Sequence, residues 1–109
     1  MPRYMSLVKY TQEAYEGVRA DGYATRPAAL QAFAGSLGGS IESMEFMAQG
    51  DWDFVAIMEM PTTDAMLAMS SFAAASGTVE RSATYELFSG ERLDAAVSAH
   101  SVSYSAPGR

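Results

Sequence analysis

Residues 50–61 read Gly50-Asp51-Trp52-Asp53-Phe54-Val55-Ala56-Ile57-Met58-Glu59-Met60-Pro61. The first four residues are turn chemistry, since glycine accepts a left-handed backbone and aspartate side chains bond nearby amides. The run that follows is apolar at both parities: Phe54, Ala56 and Met58 point one way, Val55 and Ile57 the other. Proline then stops it, as it cannot donate to a ladder. A strand apolar on both faces needs cover on both sides. One helical layer supplies one cover, so the second calls for another molecule. Leaving such a face in water would cost several kcal/mol at roughly 25 cal/mol per Å² of apolar surface.

Outward from this strand the chain divides regularly. Residues 3–10 alternate as a first strand, and Thr11 is placed to cap a short helix with Glu13 in its first turn. Ala14, Tyr15 and Val18 lie along one side of that helix, and Asp21-Gly22 breaks it. A better helix begins near Thr25-Arg26-Pro27, carries Leu30, Phe33, Ala34 and Leu37 at helical spacing, and ends at Gly38-Gly39. Residues 40–48 form a second strand, with Ile41, Ser43, Glu45 and Met47 expected on one face and Glu42, Met44 and Phe46 on the other. A hairpin through 49–52 leads into the third strand, 53–60. Thr62 or Thr63 caps a further helix whose stripe is Ala65, Ala68, Met69, Phe72 and Ala75, and residues 78–88 give the fourth strand. The order β-α-β-β-α-β predicts an α+β, ferredoxin-like fold with a four-stranded antiparallel sheet and both helical segments on one face. Residues 1–90 form that domain. Residues 91–109 are an extension: two helical turns over 91–97, then a small, polar stretch that is disordered alone or packs on a partner subunit.

Composition narrows the function. The 109-residue chain has no cysteine, which removes disulfides, zinc–thiolate centres, iron–sulfur clusters and a thiol nucleophile. Its net charge is −6, and its seven Lys and Arg are scattered, so nucleic acid and anionic membrane are poor partners. Nothing resembles a signal peptide or a spanning segment, and a cytoplasmic location is expected. Met5, Met44, Met47, Met58 and Met60 suit an adaptable interface or cavity lining. The bare sheet face predicts a homodimer or higher oligomer using the same patch on both copies.

Several stretches together resemble the GYD-domain family, within the dimeric α+β barrel superfamily. They are Gly50-Asp51-Trp52-Asp53, Tyr4-Met5-Ser6-Leu7-Val8-Lys9-Tyr10-Thr11, Leu37-Gly38-Gly39, and Asp53 through Glu59 before Pro61. The final strand, Gly77 to Phe88, is a looser likeness. Trp52 stands where the family name has tyrosine, the final strand carries one extra residue, and the 89–109 tail is additional. The resemblance implies a dimeric α+β barrel and carries over no catalytic residue.

Polar candidates are few. His100, the one histidine, lies in the tail, which argues against a Ser–His–Asp triad and against the histidine-ligated haem of some superfamily members. Asp51 and Asp53 supply too few oxygens for a cation site and are read as turn residues, so neither metal nor cofactor is expected. Lys9 and Glu59 are the pair of interest. Taken as C-terminal ends of parallel neighbouring strands, they would meet at the rim of an apolar cavity, with Arg81 as a cationic anchor and Tyr10 and Trp52 as further pocket residues. The expected function is a homo-oligomeric barrel module that binds a small hydrophobic or aromatic ligand or serves assembly. The alternative is a cofactor-independent enzyme, monooxygenase- or isomerase-like, working in the barrel cavity through Lys9, Glu59 and Arg81.

Overall fold

A computed structural model describes residues 1–109. The chain forms β1 (Arg3–Tyr10), α1 (Gln12–Asp21), a 3-10 turn (Tyr23–Thr25), α2 (Arg26–Ser36), β2 (Ser40–Phe46), β3 (Phe54–Glu59), α3 (Thr63–Ala75), β4 (Val79–Leu87) and α4 (Gly90–Ser98). The caps follow the sequence. The Thr11 hydroxyl accepts from Ala14 N at 3.2 Å, and Thr62 accepts from Ala65 N at 3.1 Å. α2 ends in a Schellman motif, with Gly38 N–H donating to Gly35 O and Gly39 N–H to Ala34 O.

The sheet runs β2-β3-β1-β4, every pair antiparallel. This is the ferredoxin-like arrangement, with one correction to the sequence reading. β1 and β3 are antiparallel neighbours, so Arg3 is registered with Glu59 while Lys9 lies at the other end, opposite Arg81. Lys9 and Glu59 do share a face, but six residues of strand, roughly 20 Å, separate them. The crossover after β1 returns the chain parallel to it in β2. The hairpin then reverses β3, which slots between the two.

Two bulges reset the faces. β2 gains Glu42 between Ile41, opposite Met58, and Ser43, opposite Ile57. Ile41 therefore joins Met44 and Phe46 on the helix-covered side, contrary to the simple alternation expected, and Ser43 and Glu45 turn to the open side. Glu42 reaches across to Arg3 in a two-pronged ion pair, at 2.9 and 2.8 Å. β4 gains Glu80 between Arg81, opposite Lys9, and Val79, opposite Tyr10.

The helices cover the face bearing Tyr4, Ser6, Val8 and Tyr10 of β1 and Phe54, Ala56 and Met58 of β3, all buried. Beneath α1 and the 3-10 turn, five aromatic rings close a circuit: Tyr10, Tyr15, Tyr23, Phe46 and Phe54, with centroids 5.1 to 6.4 Å apart. α3 departs from its expected stripe. It buries Met66 and Met69, while Phe72 is 64% exposed. Only 13 of 109 residues are buried, and α4 buries none, leaving Leu93 and Val97 exposed. The radius of gyration, 17.3 Å, exceeds the ~13 Å of a compact chain of this length.

Asp53 ties this end of the sheet together. Its N–H donates to Val8 O at 2.8 Å, and its carbonyl accepts from Met47 N at 2.9 Å. Its buried carboxylate accepts from Tyr10 N at 2.8 Å and from Lys9 Nζ at 3.4 Å. Asp53→Ala leaves the Tyr10 amide buried without an acceptor, and stability measured by urea denaturation should fall by about 1–3 kcal/mol. Asp53→Asn keeps an acceptor for that amide and should fall between the two. At the α2–β2 junction a methyl on Gly39 would lie 2.6 Å from Glu59 O and collide with Met60. Gly39→Ala should lower the urea midpoint, by an overpacking cost of about 1–3 kcal/mol.

Candidate functional site

α2 and α3 sit apart on the covered face, and a cleft of about 590 Å³ opens between them above the sheet. Of its 22 lining residues, 14 are hydrophobic. Leu30 and Phe33 of α2 form one wall and Met66 and Met69 of α3 the other, with Met58 and Phe54 in the floor. The floor is deep because its middle is built from small side chains. Ser6 faces Ala56 on one side and Thr84 on the other, where larger residues would fill the space. The Ser6 and Thr84 hydroxyls pair at 3.0 Å, and Ser82 continues a polar strip along β4. The cleft is apolar along Leu30 and Phe33 of α2 and hydroxyl-lined on its β4 side.

Two polar groups enter it without partners. The Tyr10 hydroxyl and the Arg26 Nε are both buried, and neither makes a hydrogen bond. Tyr10 as a whole is 7% exposed. It is placed by Asp53, which ends β1 at the Tyr10 amide, and by Phe54 and Tyr15, which pack on its ring. Arg26 is the first residue of α2, followed by Pro27, whose fixed φ suits a first turn. Burial pushes the Tyr10 phenol above its ordinary value of 10.0, and the neighbouring Arg26 guanidinium opposes that rise.

Of the five residues singled out from sequence, Tyr10 alone lines this cleft. Lys9 is paired with Asp53. Arg81 stacks over the Trp52 ring at 4.9 Å and donates to Asp51 O at 2.9 Å. Lys9 and Arg81 are registered opposite one another, so these groups form one cluster at the hairpin end of the sheet. Glu59 stands at the far end near Arg3. The structure brings no catalytic pair together from Lys9, Glu59 and Arg81. Sequence reading missed Arg26 and the hydroxyls Ser6, Ser82 and Thr84. The available signal was their volume: three small polar residues sit at positions whose parity points toward the helices.

The Tyr10 shift has a pH consequence with a definite sign. A phenol whose pKa is higher folded than unfolded holds its proton more tightly in the folded state. Its contribution is constant below about pH 10 and is lost as pH rises through the folded value. The stability difference between wild type and Tyr10→Phe, from urea titrations at about pH 9 and about pH 11, should therefore move in favour of the variant at the higher pH.

No curated protein matches this chain. Among solved structures it is similar to FFRP-DM1, at 11% identity over 81% of this chain and 100% of that one, with a TM-score of 0.51. It is similar to TTHA0845 from Thermus thermophilus, at 16% identity over 83% and 96% of the two chains, with a TM-score of 0.50. The C-terminal domain of the MgtC protein from Mycobacterium tuberculosis is also similar, at 16% identity over 79% and 87%, again with a TM-score of 0.50. Identities this low speak to the fold alone. The family model of the GYD domain matches residues 4–97, from the first strand into α4, and the chain belongs to the GYD-domain family.

Proposed function

We propose that this protein is a homo-oligomeric module that binds a small hydrophobic or aromatic molecule in the cleft between α2 and α3. The observation that carries this reading is the cleft itself. Its volume, about 590 Å³, lies within the usual range for small-molecule sites, and apolar walls with a few polar groups are the usual lining. The site lies on the helix side of one chain rather than within a barrel formed between sheets. The groups named for catalysis lie away from it, which favours binding over the enzymatic alternative.

The open face supports the oligomer. Met5 and Leu7 of β1, Val55 and Ile57 of β3, and Ala83 and Tyr85 of β4 share it, and Tyr85 is 55% exposed. Arg3, Glu42 and Glu59 border this apolar centre at one end, and Lys9 and Arg81 at the other. An apolar centre with a charged rim is the anatomy of an interface. A second copy set sheet to sheet by a twofold axis uses the same patch on both sides. The uncovered apolar face of α4 is assigned to the same association, which makes residues 91–109 an extension of the domain.

Sedimentation equilibrium should return twice the 11.7 kDa chain mass or a multiple of it. Ile57→Asp, which places a charge at the centre of the face, should give a folded monomer; a wild-type monomer would refute the assembly. N-phenyl-1-naphthylamine, a neutral fluorescent probe, should bind saturably at one site per chain. Ser70→Trp, on the α3 lining, should weaken that binding at least tenfold without changing the mass, and undiminished binding would place the probe elsewhere.

A further inference from the structure

Arg26 is unusual in this chain. Among 13 acidic residues and a net charge of −6, two ion pairs form, Arg3 with Glu42 and Lys9 with Asp53. Arg26 takes part in neither, yet its Nε is buried in the wall of an apolar cleft with no acceptor. The Tyr10 hydroxyl beside it is equally buried and equally unpaired. Buried donors without partners are rare, and a buried donor on a cation is more costly than a neutral one. Here two occur together in one cavity. The two cannot fully satisfy each other: the guanidinium has no acceptor atom, and a phenol oxygen that accepts from the neighbouring Arg26 still has its own O–H to donate. A phenol is protonated through the neutral range, and burial tightens its hold on the proton. The missing partner is therefore an acceptor, and next to a fixed positive charge the favoured acceptor is an anion.

We propose that Arg26 and Tyr10 form the head-group site for an amphipathic carboxylate, whose apolar body lies along Leu30, Phe33, Met66 and Met69. The inference rests on the cleft-binding reading above and specifies the class of ligand. Geometry selects a carboxylate, because a planar two-oxygen acceptor takes one hydrogen bond from Arg26 Nε and one from the Tyr10 hydroxyl. The stretch formed by Leu30, Phe33, Met66 and Met69 is hydrocarbon, so a small inorganic anion would leave it unfilled. A neutral hydrophobe would leave both donors unsatisfied.

The test uses displacement of N-phenyl-1-naphthylamine from the full-length protein at pH 7 by dodecanoate and by dodecanol, which share a chain and differ in the head group. Dodecanoate should bind about tenfold or more tightly than dodecanol, the preference expected from charge-assisted hydrogen bonds at a buried site. Arg26→Met should bring the ratio of dodecanoate to dodecanol affinity down to about one, and Tyr10→Phe should reduce that ratio several-fold. Arg26→Lys, which retains the charge and loses the fork, should fall between. Equal affinities in the wild type, or equal weakening of both ligands in Arg26→Met, would overturn the carboxylate assignment while leaving the cleft reading intact. Failure of the neutral probe to bind at all would overturn both.

Discussion

One buried carboxylate fixes the working end of this fold. Asp53 ties β1 to the end of β2 through four polar contacts: Val8 and Tyr10 on β1, Met47 after β2, and the Lys9 ammonium. It marks where β1 stops being a strand, because the Tyr10 amide bonds a side chain there instead of a backbone carbonyl. The bulge in β4 falls at the same level, where the register slips between Lys9 and Tyr10. Everything placed at that end inherits its position from this junction. The Tyr10 ring enters the aromatic circuit that holds α1, and its hydroxyl enters the cleft. Arg81, opposite Lys9, is in turn set over Trp52.

The two faces of the sheet differ in side-chain size. On the open face, residues of middling volume such as Leu7, Val55 and Ile57 make an apolar surface. On the covered face, large rings crowd one end and Ser6, Ala56 and Thr84 thin out the middle. Helices laid over such a floor cannot close on it, since close packing needs atoms on both sides of each contact. The cleft is thus a consequence of core composition, and it places the polar strip of β4 within reach of anything held by α2 and α3.

Most of the fold was legible in the sequence because its signals are local. Thr11 and Thr62 as caps, Gly38-Gly39 as a helix end and the two-sided apolar run of β3 each act within a few residues. The errors lie where distant segments decide. The direction of β3 relative to β1 follows from the crossover geometry and not from either strand's composition, and reading it wrongly brought Lys9 and Glu59 together. The phase of Ile41 turns on a single inserted residue, Glu42, which alternation alone does not reveal. The Phe72 stripe assumed that α3 would lie flat on a filled core. For the site, Tyr10 was visible as a strand-end aromatic. Arg26 was hidden as an ordinary charge in a helix's first turn, and its isolation became evident only once the folded chain left it without an acidic neighbour.

The bulges that reset the sheet's faces also bear on how its rim behaves in a crowded solution. β2 and β4 are the outer strands, and an outer strand with a regular row of free amides and carbonyls is a template for further strands. Here each rim is interrupted by an inserted glutamate, Glu42 on one side and Glu80 on the other. The Ile41 amide is already taken by the Gln31 side chain at 2.8 Å. An incoming strand would find its ladder broken at either rim, with the Glu80 carboxylate at one of the breaks. Both interruptions disfavour edge-to-edge growth of the sheet into fibres.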